Sequence, residues 1–185
     1  MTPARHHLRS ATRETHERTD AAFSTLDLAD AGDYAVFLGS HWLAYSALEP
    51  AFAATLPMAQ RPPAMAALLA ADLRALDVAA PALTVPAFTG DALGAAYVVA
   101  GSHFGKRVLA RRQGRADSDG MRAATAYLAS PALAEYWPVL QAAIEGAGPD
   151  ERARMTAGAD AAFALFAECL TKIAASDAFP MRLAL

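Results

Sequence analysis

Apolar residues recur along this chain at spacings of three and four, the mark of helices with one buried face. Leu8, Thr12, His16, Thr19 and Phe23 form the first such stripe, in a run of good helix formers without internal Gly or Pro. Asp30 is placed to cap a second helix carrying Tyr34, Phe37, Leu38, His41, Trp42, Tyr45 and Leu48. Pro50 should kink or restart it, since its ring removes a hydrogen bond and clashes one turn back. Pro57, Pro62 and Pro63 mark a break, and a third helix is expected over about 64–77. The segment 81–86, PALTVP, reads as an extended connection with no strand to pair with. A glycine-bearing helix follows over about 91–112, then two shorter ones near 119–129 and 132–145, split by Pro131. A last long helix over about 150–176 shows Ala162, Phe163, Phe166, Leu170 and Ile173 on one side. Nothing alternates at a spacing of two and nothing repeats, so the expected fold is all-α, in one domain spanning 1–185.

The glycine-bearing stretch, 90–112, departs most from what helix propensity favours. Glycine inside a helix costs roughly 1 kcal/mol relative to alanine. The chain is otherwise alanine-rich, yet glycine stands at 90, 94, 101 and 105. Gly101 and Gly105 are one turn apart and present a strip of bare backbone. Such a strip admits either something flat and bulky or a neighbouring helix.

Composition narrows the classes of function. Hydrophobic residues make up 55% of the chain, charged residues 19%, and the net charge is −3. A mildly acidic chain argues against nucleic acid as the main partner. The single cysteine, Cys169, excludes a disulfide framework and a cysteine-based zinc site. The N-terminal stretch is too polar for a secretory signal, and no apolar run approaches the ~20 residues of a membrane span. A soluble, cytoplasmic protein without a membrane partner is expected, working as a monomer.

His16 is the first candidate for chemistry. It lies mid-helix on the apolar stripe, and Arg9 and Arg13 precede it along one edge. An axial histidine for haem iron, with cations reaching the propionates, would have this form. A plain amphipathic helix with solvated arginines has it too. His6 and His7 read as solvated, and His41 as a hydrogen-bonded residue at the core boundary. His103, two residues from each glycine, should point away from the bare strip, which leaves open a distal ligand only if the helix kinks there. Lys106, Arg107, Arg111 and Arg112 complement a helix C-terminus, or else form a docking patch for an acidic electron donor.

Three blocks together resemble one family. The run from Leu8 to His16, LRSATRETH, resembles the proximal helix of haem oxygenases, where an Ala-Thr pair precedes the iron-binding histidine. The run from Gly94 to Gly105, GAAYVVAGSHFG, is similar to the distal helix of the bacterial branch, written G-A-x-Y-V-x-E-G-S-x-x-G. Tyr45 to Glu49, YSALE, resembles that family's second helix, and Tyr136-Trp137-Pro138 fits its later helices. The resemblance implies a multi-helical bundle holding haem between the first helix and a kinked distal one. It makes His16 the proximal iron ligand, with Thr12 and Tyr97 lining the site and Arg9 and Arg13 on the propionates. Gly101 and Gly105 become the distal glycines. Ser102 stands where many animal members carry a distal aspartate that organises water. The implied activity is oxidative cleavage of haem, both substrate and cofactor, by oxygen to biliverdin, carbon monoxide and ferrous iron. Electrons would come from a reductase or ferredoxin, since no nucleotide fingerprint is present.

Three positions depart from the family pattern. Ala100 replaces a glutamate before the distal Gly-Ser, Lys106 replaces a small residue, and the last helix offers no cation until Lys172. Two other readings remain. One is a protein that binds haem without degrading it, through His16 and His103. The other is a haem-free relative of the thiaminase-like or di-iron type. Di-iron chemistry needs carboxylates and histidines converging from several helices, and no Glu-x-x-His pair occurs. Cys169 lacks an evident base for thiaminase-like chemistry.

Overall fold

The computed structural model describes residues 3–84, 87–116, 118–176 and 179. Within these residues the chain forms ten α-helices and one 3-10 turn, with no strand. They are α1 (Ala4–Ala11), α2 (Arg13–Ser24), α3 (Ala31–Thr55), α4 (Ala66–Ala75), α5 (Ala92–Gly101), α6 (His103–Gln113), α7 (Asp119–Ala123), α8 (Ala126–Ala129), α9 (Ala132–Glu145) and α10 (Pro149–Ala174). No described helix is long and apolar enough to cross a membrane. The PALTVP connection carries no regular secondary structure over 81–84, while Val85 and Pro86 lie outside the described residues.

Side-chain caps set several of the boundaries. Asp30 accepts from the Asp33 amide at 2.9 Å and starts α3, and Asp91 accepts from the Gly94 amide at 2.9 Å and starts α5. Glu49, on α3, accepts from the amides of Met65 and Ala66 at 2.7 and 2.8 Å, capping α4 from a distance.

Some of the boundaries differ from the pattern reading. The helix α3 continues through Pro50, which is exposed, and does not restart there. Leu48 and Phe52 on either side of it are buried, and that packing holds the helical path across one missing N–H. The first stripe is broken at Thr12, whose φ of −97° and ψ of 7° leave the helical region. Its hydroxyl donates to the Leu8 carbonyl at 2.8 Å, a local bond that competes with the helical ladder.

The long helix α10 is the spine, flanked by α5, α3, α2 and α1. It meets α5 at backbone distance. A Cβ on Gly94 would lie 2.0 Å from the Met155 carbonyl oxygen, and one on Gly158 would lie 2.4 Å from that of Asp91. Buried polar bonds fix the opposite side: Asp72 on α4 accepts from the amides of Ala126 and Tyr127 at 2.7 and 2.8 Å, and Tyr34 donates to the Ala124 carbonyl at 2.7 Å. The short helix α8 is thereby held against α3 and α4.

Candidate functional site

The pair α1–α2 and the pair α5–α6 both rest on the central bundle, and Arg9 of the first lies within electrostatic reach of Tyr97 on the second. On the first pair His6, Arg9, Arg13, His16, Glu17 and Asp20 share one face and border a concavity of about 460 Å³. Leu8, Thr12 and Thr19 of the same stripe are buried, but the His16 side chain is 55% exposed, so its imidazole is available. The ring stacks on Phe163 of α10, centroids 5.1 Å apart. Its Nε2 stands 3.2 Å from Asp20 Oδ2, one turn further along α2. Both groups are exposed, so this i, i+4 pair biases the ring's orientation only weakly.

The second pair supplies a bare wall. The helix breaks at Ser102, between α5 and α6, where the pattern reads as one continuous helix. A Cβ placed on Gly101 or Gly105 would meet nothing within 4 Å. The glycines of this stretch therefore divide: Gly94 seats α5 on α10, and Gly101 and Gly105 face open space. Tyr97 lies within electrostatic reach of the Arg9 guanidinium, which works against the upward shift that burial gives its phenol. His103 turns to the far side, with Nδ1 2.7 Å from the Ala100 carbonyl and its ring against Phe104 and Trp137.

A polar cluster lies where α3, the α5–α6 junction and α8 meet. Tyr45 and Tyr127 meet with their hydroxyls 3.5 Å apart, and the Ser102 hydroxyl lies beside both. Burial pushes both phenols well up, so they remain protonated donors. Beneath them Lys106 is only 5% exposed; its ammonium donates to the Tyr127 carbonyl at 2.6 Å and lies 4.1 Å from that ring's centroid. Burial lowers its pKa to about 8, opposed by the Asp72 carboxylate. Lys106 therefore does not complement the end of its own helix, as the pattern suggests. It ties α6 to α8. Arg112 departs likewise, donating to the Leu26 carbonyl at 2.5 Å beyond the end of α2, while Arg107 and Arg111 are exposed.

Tyr127 has no signal in the sequence that would single it out, because 82 residues separate it from Tyr45. Lys172 pairs with Glu168 at 3.0 Å and reaches the Thr84 carbonyl at 3.4 Å. Cys169 is buried, which pushes its thiol up to about 12 and leaves it inert. No group of three or more His, Cys, Asp or Glu comes together as metal ligands among the described residues.

The architecture is that of a haem-oxygenase-like helical fold. The chain is similar to a crystal structure of the NO- and CO-bound haem oxygenase from Neisseria meningitidis, with a TM-score of 0.77, over 100% of this chain and 96% of that one. Sequence identity between the two is 19%, so the likeness is one of fold. No family model matches the chain, and no curated protein does.

Proposed function

We propose that this protein is a haem oxygenase, binding one haem in a cleft between α1–α2 and α5–α6 and cleaving it oxidatively. The observation that carries the reading is the open space over Gly101 and Gly105, on a fold like that of a haem oxygenase. A flat macrocycle fits a wall without side chains. The opposite wall presents an exposed imidazole with two guanidinium groups on its own face, which suits iron and two propionates. When bound, haem supplies both the iron that activates oxygen and the porphyrin that is oxidised, giving biliverdin, carbon monoxide and ferrous iron.

The chain's own residues would divide the remaining work. His16 would be the residue that holds the iron, its imidazole releasing the Asp20 carboxylate to do so. Arg9 and Arg13 hold the propionates at the mouth, with Tyr97 beside Arg9 and Thr12 behind the ligand helix. Ser102, Tyr45 and Tyr127 offer neutral hydroxyls that orient water on the distal side. Gly101 and Gly105 keep that side free of side chains, so that oxygen enters close to the wall. Electrons come from a separate reductase or ferredoxin, the protein acting as a monomer in the cytoplasm.

The test is hemin titration followed by reduction in air. One equivalent should bind, and His16→Ala should lose the nitrogenous axial signature in absorption and resonance Raman spectra. With reductant the haem band should bleach as carbon monoxide is released. Haem that stays intact would identify a carrier. His103 is an unsuited second ligand for that role, since its ring packs on Trp137 and its Nδ1 is bonded to Ala100.

A further inference from the structure

His41 has no part in the account so far, and its environment is unusually defined. Its ring stands 4.1 Å from Phe37, 4.9 Å from Phe23, 5.3 Å from Phe166 and 5.8 Å from Tyr127, by centroids. Its Nδ1 is 2.9 Å from the Phe37 carbonyl oxygen. A carbonyl only accepts, so Nδ1 carries the proton and Nε2 keeps its lone pair. Burial lowers the ring's pKa to about 4, and the Lys106 ammonium acts in the same direction. The other titratable group facing it is Tyr127, a protonated phenol. No protein donor reaches Nε2 among the described residues. Nor is it sealed in, for the only described buried side-chain nitrogen or oxygen without a partner is Oδ1 of Asp160.

The neighbours identify the space onto which Nε2 opens. Phe23 is two turns beyond His16 on α2, and Phe166 is about one turn beyond Phe163, the residue on which His16 stacks. Tyr45, one turn along α3 from His41, also packs on Phe166 and lies beside Ser102. These contacts set His41 beside the Ser102–Tyr45–Tyr127 cluster. We propose that Nε2 of His41 is a fixed hydrogen-bond acceptor that anchors water there and sets the direction of the Ser102–Tyr45–Tyr127 hydroxyl cluster.

The chemistry behind this is asymmetry. A serine or tyrosine hydroxyl both donates and accepts, so a cluster of them has no preferred sense. An imidazole that can only accept gives it one: water donates to Nε2, and the remaining lone pairs and protons order behind it. His41 is thus a positioning residue for the distal water, and its role rests on the haem oxygenase reading.

Three measurements test it. In ¹⁵N spectra of the wild-type hemin complex, His41 should be the Nδ1–H tautomer with a hydrogen-bonded, unprotonated Nε2. A protonated Nε2 would overturn the proposal whatever the variants do. His41→Phe fits the aromatic surroundings and removes the acceptor; hemin affinity should stay within about three-fold, as no ligand is lost. The water–hydroxide transition of the ferric complex should move down by about one pH unit, a ten-fold change, because an acceptor favours water, the stronger donor, over hydroxide. His41→Gln, which restores an acceptor, should bring the midpoint back. An unchanged midpoint in His41→Phe overturns the role of His41 while leaving the haem reading intact. Loss of hemin binding in that variant would make His41 a ligand or a packing residue and overturn it as well. Failure of the wild type to bind hemin removes both proposals.

Discussion

A Cβ on Gly94 would sit 2.0 Å from the Met155 carbonyl oxygen, while one on Gly101 would meet nothing. The two glycines therefore respond oppositely to the same change. Gly94→Ala forces α5 off α10, and overpacking against backbone should cost about 2 kcal/mol or more, read as a fall in Tm or denaturant midpoint. Gly101→Ala should raise apo-protein stability by up to ~1 kcal/mol, since helix propensity improves and nothing is displaced. Gly101→Leu should keep the fold and lose carbon monoxide release more than hemin affinity, because the side chain fills the space over the distal wall. A Gly101→Leu variant with full turnover would show that this wall does not face haem. Sequence singled out Gly101 and Gly105, since glycine was a costly choice in an alanine-rich helix. It could not part them from Gly94, because the atoms that crowd Gly94 belong to a helix some sixty residues later.

Among the elements, α6 has the least expected construction. Its buried residues are Lys106 and Gln113, both polar, and each donates to a backbone carbonyl of a following helix, Tyr127 in α8 for the first and Met121 in α7 for the second. The sequence shows only a basic run after a glycine, which reads as a solvated helix end. Burial of the lysine is decided by α8, whose position depends on Asp72. The pH consequence can be signed. Lys106 titrates at about 8 when folded and near 10.5 when unfolded. Between these values the unfolded chain holds the proton and the folded one does not, so stability rises with pH through that window. Below about pH 8 the cost of the buried charge is fully present. Comparing wild type with Lys106→Met from pH 8 to 10.5, the difference should move in favour of wild type by at most roughly 3 kcal/mol. A flat difference would mean the ammonium is better solvated than its 5% exposure implies. Other elements were legible: the cap at Asp30 and the apolar faces of α3 and α10 stand in the sequence as they stand in the fold. The run of α3 through Pro50 was not, because long-range packing overrode a local rule.

Across the whole molecule, the all-α architecture followed from periodicity alone, and the cleft followed less completely. The two walls proposed for it, around His16 and Gly101, each lie within a single run of sequence. Its inner end draws on α3, α6, α8 and α10 at once, and convergence of that kind leaves no local trace. The two breaks, at Thr12 and Ser102, acquire meaning at this scale. The start of α1 is tethered to α9, where Glu145 accepts from the Ala4 amide at 3.2 Å and from Arg5 at 3.3 Å. The start of α5 is wedged against α10 at Gly94, and the far ends of both pairs are joined by Arg112 and the Leu26 carbonyl. Each wall is thus a beam clamped at both ends with an elbow in its middle. Neither can swing as a lid. If haem is taken up between the two pairs as proposed, any bowing that admits it would be concentrated at the elbows, where the helical ladder is already interrupted. Amide hydrogen exchange should therefore be fastest within these walls over 12–16 and 102–106, and slow markedly on loading with hemin, while the clamped ends change little. Uniform exchange along both walls would mean that the cleft stands permanently open. The rate at which this protein loads its ligand would then be set by diffusion and not by the flexing of its own backbone.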